Sequence, residues 1–155
     1  MSTVKSPLSA ADRSVTGAAL QSALVDLLEL SLVGKQAHWN LIGRNFRSIH
    51  LALDELVDLA RAFSDTVAER AIAIGVNPDG QTEALAAQSK VEPLQVGYVK
   101  VEAVIGYIVD RLAPMIRRFR ERMDATEQAD PVTQDLFIAI TADLEKAHWM
   151  FQAEL

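Results

Sequence analysis

From Phe46 to Ile74 the chain contains neither proline nor glycine, and its apolar residues return every third or fourth position: Phe46, Ile49, Leu53, Leu56, Leu59, Phe63, Val67 and Ile72. That period predicts one long helix with a single apolar face. Upstream, Leu20, Leu24, Leu27, Leu28 and Leu32 mark a second such face, predicting a helix from about Ser14 to Ile42 that Ala18, Ala19 and Ala23 favour. Val25, Leu30 and Val33 widen its apolar surface, as a helix touching a neighbouring subunit would require. Gly43-Arg44-Asn45 turns the chain between the two. Residues 1–13 read as a mobile N-terminal arm, and residues 14–155 as one helical domain.

After the second helix, Asn77-Pro78-Asp79-Gly80 is a strong turn. Thr82 caps a short helical piece, Glu83 to Gln88, inside a connection running to Pro93. A link of this length lets the next helix start at the opposite end of a bundle. A third long helix is expected from Pro93 through Val104, Ile108 and Leu112, with a kink or break at Pro114. The arginines at 117, 118, 120 and 122 read as a solvated face. Asp130-Pro131 starts a fourth helix through Phe137, Ile140, Leu144 and Phe151. With no credible strand and no repeat, the fold class is all-α: a four-helix bundle with a long crossover between helices 2 and 3 that contains a short extra helix.

Composition narrows the chemistry. The chain has 155 residues, enough for one domain with a real core, and no cysteine. Disulfides and thiolate metal sites are thereby excluded, so any metal is held by oxygen and imidazole. A net charge of −6 argues against a broadly cationic surface for nucleic acid. No apolar run of spanning length and no secretory signal are evident, which points to the cytoplasm.

On the long second helix, His50, Asp54, Asp65 and Glu69 fall at roughly 0, 40, 60 and 100°, so they share one stripe. One chain cannot use all four on one ion, because His50 and Glu69 are roughly 28 Å apart along the axis. An identical helix lying antiparallel across a two-fold axis solves this. The register that sets His50 opposite Glu69 also sets Asp54 opposite Asp65 and Asp58 opposite Arg61, and it places Ala60 at the axis. Two equivalent metal sites per dimer follow, each taking His50 and Asp54 from one chain and Asp65 and Glu69 from the other. A solvated face laced with charge pairs is the competing reading of the same spacing.

The run Lys35-Gln36-Ala37-His38-Trp39-Asn40, the spacing to His50 and Asp54, and Asp65-Thr66-Val67-Ala68-Glu69-Arg70 ahead of a Gly and Pro turn resemble the Dps family of ferritin-like mini-ferritins. The resemblance covers nearly the whole chain, the short helix in the crossover included. It implies a ferritin-like homododecamer that oxidises Fe(II), preferably with hydrogen peroxide, stores Fe(III) as a mineral and in some members binds DNA. Carried over by position, the family's ferroxidase ligands fall on His38, His50 and Asp54 of one subunit and Asp65 and Glu69 of its mate. Trp39 matches the family tryptophan near the iron, implying interception of radicals. Asp124, Glu127, Asp130 and Asp135 fall where the family lines acidic pores at a three-fold axis.

Two positions depart from the pattern. Leu51 stands where many members have a glutamate, although that position is not a ligand. The arm carries only Lys5 and Arg13, opposed by Asp12, instead of a lysine-rich tail, which argues against direct DNA binding. A nucleoid-compacting, DNA-binding protein with a secondary metal site is the alternative function, and a zinc or manganese scaffold without turnover a third. His148, in a second His-Trp pair, has no supporting carboxylate spacing and reads as structural or exposed.

Overall fold

The computed structural model describes residues 4–155; residues 1–3, the tip of the expected arm, lie outside the described residues. The order of elements is α1 (Ala10–Asn40), β1 (Leu41–Ile42), α2 (Phe46–Ala73), α3 (Thr82–Gln88), β2 (Val99–Lys100), α4 (Val101–Thr126) and α5 (Pro131–Gln152). The four long helices form the expected bundle, with α1 packed on α2, α4 packed on α5, and α1 also against α4. The short helix α3 sits inside the crossover. Leu20, Leu27, Leu53, Ile108, Leu112 and Phe137 are wholly buried at its centre, and Phe119 meets Phe137 edge to face at 5.9 Å.

Several boundaries differ from the expectation, each for a local reason. The first helix begins at Ala10 because Ser9 caps it, its Oγ accepting from the Asp12 amide at 3.1 Å. Four residues assigned to the arm are thus helical. At its other end α1 stops at Asn40, because Leu41 and Ile42 pair in parallel with Val99 and Lys100. Those strands were not foreseen, since two-residue strands leave no period to read. Parallel strands need a crossover connection, so this pair fastens the end of the crossover beside the turn between α1 and α2. The turn itself depends on Gly43 at φ +127° and Asn45 at φ +60°, a region glycine and asparagine tolerate best. The third long helix starts at Val101 instead of Pro93, after Gly97 at φ +97° breaks any earlier helical run. It runs unbroken through Pro114, against the expected break, although the Asp110 carbonyl loses its usual donor there. Helix α1 contains a stretch apolar enough to cross a membrane by length and composition, contrary to the earlier reading, but 67% of that stretch is buried inside the bundle. Most of its apolar residues are core, although Val15 and Leu32 are exposed.

The arginines of α4 are not one solvated face. Arg117 and Arg120 are exposed, Arg120 donating to Glu145 of α5 at 2.7 Å. Arg118 and Arg122, one helical turn apart, turn inward to α1. Asp26 accepts two bonds from Arg118, at 2.7 and 3.0 Å, and one from Arg122 at 2.6 Å. Arg122 Nε also donates to Ser22 at 3.0 Å. Burial pushes the Arg122 guanidinium below its ordinary range, while the Asp26 charge and hydrogen bond oppose that shift. A buried carboxylate shared by two guanidinium groups therefore joins α1 to α4.

Gly34 is needed for the close approach of α1 and α2: a Cβ there would stand 2.7 Å from Val57 Cγ2, and Val57 is wholly buried. Gly34→Ala is expected to lower stability by about 1–2 kcal/mol, the clash outweighing alanine's better helix propensity. A shift of the urea midpoint to lower concentration at constant slope checks this.

Candidate metal centre

Helix α1 delivers His38 in its last turn, and α2 delivers His50 and Asp54 within its first three turns. The turn at residues 41–45 folds one helix back on the other, and the two imidazoles stack with ring centroids 3.6 Å apart and planes 21° from parallel. His38 Nδ1 lies 2.9 Å from the His50 carbonyl, and His50 Nδ1 lies 3.0 Å from the His38 carbonyl. A carbonyl only accepts, so each ring donates from Nδ1, and in the neutral imidazole the lone pair is then on Nε2. Carbonyls of this kind hold metal-binding imidazoles in one tautomer and orientation. The His38 carbonyl belongs to the last turn of α1, where helix carbonyls lack an internal partner. The same bond thus serves the helix end and the ring.

Asp54 Oδ1 stands 3.2 Å from His38 Nδ1. One donor atom from each of His38, His50 and Asp54 lies within 4.8 Å of the others, a set able to hold a cation. His38 is buried, while His50 and Asp54 are half-buried and reachable from solvent. Lys35, one turn before His38, makes a short ion pair with Asp54. That hydrogen bond lowers the Asp54 carboxyl from its ordinary range; partial burial opposes the shift, and the His38, Lys35 and His50 charges assist it. Lys35 occupies only Oδ1 of Asp54, so the second carboxylate oxygen is not engaged by the ammonium. Lys35 was not given a role from the sequence, although its place three residues before His38 puts both on one face of α1. Phe46 was likewise read only as core: it is 43% exposed and stacks on the His50 ring at 4.9 Å.

Asp65 and Glu69 lie further along α2, both exposed. The structure brings together three of the five predicted ligands and leaves the other two on the solvent face of the same helix. Asp58 and Arg61 are exposed between them. Ala60, expected at a two-fold axis, is wholly buried in the chain's own core, so its small size serves packing within the subunit. Trp39 is 68% exposed beside His38. His148 is half-buried, its Nε2 enclosed without a hydrogen-bond partner.

Asp124, Glu127 and Asp135 are exposed around the connection from α4 to α5. Asp130 differs from that group. It is buried, accepts from Arg70 at 2.6 Å and from Thr133, and so meets its charge within the chain. Burial raises its carboxyl pKa, but the hydrogen bonds from Thr133 and Arg70 and the Arg70 charge outweigh burial and hold it below the ordinary 3.8. A depressed carboxyl stabilises the fold above its unfolded value and loses that contribution as pH falls through its folded value. Asp130→Asn is therefore expected to cost about 1.5–3 kcal/mol at neutral pH. Urea titrations at a series of pH values should show the gap from the unaltered chain closing below about pH 4.

The four-helix bundle with this crossover is matched by known proteins. The ferritin-like domain family model matches residues 17–155. A DNA protection during starvation protein from Agrobacterium fabrum is 31% identical over 137 residues, covering 88% of this chain and 85% of that one. The chain belongs to the Dps family of ferritin-like proteins. Dps from Mycobacterium smegmatis superposes with a TM-score of 0.94 at 32% identity, covering 100% of this chain and 94% of that one. A Dps structure from Microbacterium arborescens in a high iron form gives 0.92 at 26% identity, covering 97% and 98%. Iron storage and protection of DNA are the general roles of Dps proteins, and this Dps chain shares the fold across its described length.

Proposed function

We propose that the protein is a ferroxidase and iron store, which oxidises Fe(II) with hydrogen peroxide or O2 at centres shared between two copies and keeps Fe(III) as mineral inside a dodecameric cytoplasmic shell. The observation that carries this reading is the half-built ligand set: His38, His50 and Asp54 converge within 4.8 Å, while Asp65 and Glu69 stand exposed on the same helix, available to a second chain. Neutral imidazole is a borderline ligand that suits Fe(II), and carboxylates suit both Fe(II) and Fe(III). Two Fe(II) ions held close together give both electrons to one hydrogen peroxide, which takes up two protons from solvent and leaves as two waters without releasing hydroxyl radical. His38 and His50 bind and orient the ferrous substrate through Nε2. Asp54, Asp65 and Glu69 neutralise the charge that grows on oxidation. Trp39, exposed next to His38, intercepts oxidising equivalents that escape. Asp124, Glu127 and Asp135 provide an acidic approach that concentrates cations.

Anaerobic addition of Fe(II) followed by a measured dose of peroxide tests the reading. The expected result is ferric absorbance rising with about two Fe(II) consumed per peroxide. Absorbance no higher than a protein-free control rules the activity out. A gel shift with plasmid at physiological salt separates the store from a nucleoid-compacting protein, since only the latter needs tight DNA binding by the shell.

A further inference from the structure

His50 is the middle ring of three. Its imidazole stacks on His38 with centroids 3.6 Å apart and planes 21° from parallel, and on Phe46 with centroids 4.9 Å apart and planes 28° from parallel. Stacked carbon atoms need about 3.5–4.0 Å between them, so two rings at those distances cannot share one face of an imidazole without overlapping. Phe46 therefore covers the face that His38 leaves. The column spans both helices: His38 comes from the last turn of α1, and the turn at Gly43 and Asn45 delivers Phe46 as the first residue of α2. Phe46 precedes His50 by four residues and so lies on the same side of that helix. It remains 43% exposed, so burial in the core accounts for only part of its placement.

We propose that Phe46 is a positioning residue for iron, its ring holding the His50 imidazole flat against His38 in the orientation that meets Fe(II). The inference rests on the reading of His50 as a ligand of the ferrous substrate. A histidine ring turns about its side-chain bonds, and three contacts remove that freedom here. The two stacks close both faces, and the His38 carbonyl, 3.0 Å from Nδ1, fixes one edge. Nε2, on the other edge, is the nitrogen left for a cation. A ligand already held in its bound orientation loses less freedom when the ion arrives, so affinity rises without a further contact to the metal. The flat face of Phe46 is what matters. An aliphatic side chain of similar bulk presents no ring to stack, and the imidazole beneath it can tilt.

Three variants of the full-length assembly separate the flat face from bulk. Phe46→Tyr keeps the ring, Phe46→Leu keeps apolar bulk without it, and Phe46→Ala removes both; circular dichroism and assembly size establish that each is folded. Zn(II), which has no redox chemistry, is titrated by calorimetry, and the binding lost in His50→Ala with Asp54→Ala defines the zinc held at this centre. Oxidation by peroxide is followed in parallel over a range of Fe(II) concentrations. The leucine and alanine variants should bind that zinc about tenfold more weakly. Each should also need about tenfold more Fe(II) for half-maximal rate, with the maximum rate within about twofold, the mark of lost ground-state binding. Phe46→Tyr should stay within about twofold of the unaltered chain on both measures. Undiminished zinc affinity in Phe46→Leu, a tyrosine variant as weak as the leucine one, or a fall in maximum rate alone overturns the proposal. So does an unaltered assembly that binds no zinc at this centre. Zinc weakened in Phe46→Leu but not in Phe46→Tyr, with no ferric product from the unaltered chain, upholds the positioning role and overturns only the ferroxidase reading.

Discussion

A chain carrying His50→Ala and Asp54→Ala is expected to lose iron oxidation by a factor of about a hundred or more while remaining folded. The two side chains contribute an imidazole and a carboxylate to the proposed ligand set, and losing even a group that supports a metal ligand costs about 10–100-fold in affinity or activity. Both lie on the solvent side of α2 and are only half-buried, so their removal opens no core cavity. Removal of His50 does release the His38 carbonyl and ring, and helix content and assembly size should be measured alongside the oxidation rate. Asp65→Ala with Glu69→Ala should be equally inactive if those carboxylates complete the site of a second chain. Mixing the two inactive chains through denaturation and reassembly then gives a sharper result. Half of the dimers formed would be mixed, and each mixed dimer would hold one site with all its ligands and one with His38 alone, so about a quarter of sites should recover. No recovery in a properly assembled mixture would place the ferrous ions within single chains or at another site.

The second large effect concerns stability. Asp26→Ala should destabilise the fold by about 3–5 kcal/mol, the range for breaking one side of a buried ion pair. Asp26 is 3% exposed and takes three hydrogen bonds from Arg118 and Arg122. Its removal leaves two guanidinium groups facing α1 with no counter-charge, and Arg122 is itself 7% exposed. Against a total stability of about 5–15 kcal/mol for a domain, that loss is severe. Urea unfolding followed by circular dichroism reads it directly. Replacing all three, with Asp26→Leu, Arg118→Leu and Arg122→Met, should recover most of the loss, since no buried charge then remains. A loss under about 1 kcal/mol for Asp26→Ala would mean that water solvates the guanidinium groups once the carboxylate is gone.

The comparison of pattern with structure separates two kinds of information. The long helix α2 and its polar stripe were legible because a helix repeats every 3.6 residues, and the eighteen residues between His50 and Glu69 carry that register reliably from one end to the other. The bundle and its crossover followed from the same signal and from the turn at Asn77 to Gly80. Less legible were features that one residue decides. The apolar period places the start of the first helix only near Ser14, and it is the bond from the Asp12 amide to Ser9 that sets it at Ala10. The arginines of α4 looked alike in sequence, yet Arg118 and Arg122 face Asp26 across the bundle while Arg117 faces solvent.

The amino-acid sequence by itself determined which residues share a helical face: His50 with Asp54, Asp65 and Glu69 on one side of α2, and the apolar core on another. It determined also the oxygen and imidazole character of any metal site, since no thiol exists in the chain. Only the tertiary structure decided that His38 stacks on His50, that each ring is held by the other's carbonyl, and that Lys35 already neutralises Asp54. The reason is one of range. Periodicity encodes neighbours along a single helix, whereas contacts between helices depend on the turn that joins them and on how their side chains interlock, and neither leaves a repeating trace in the chain.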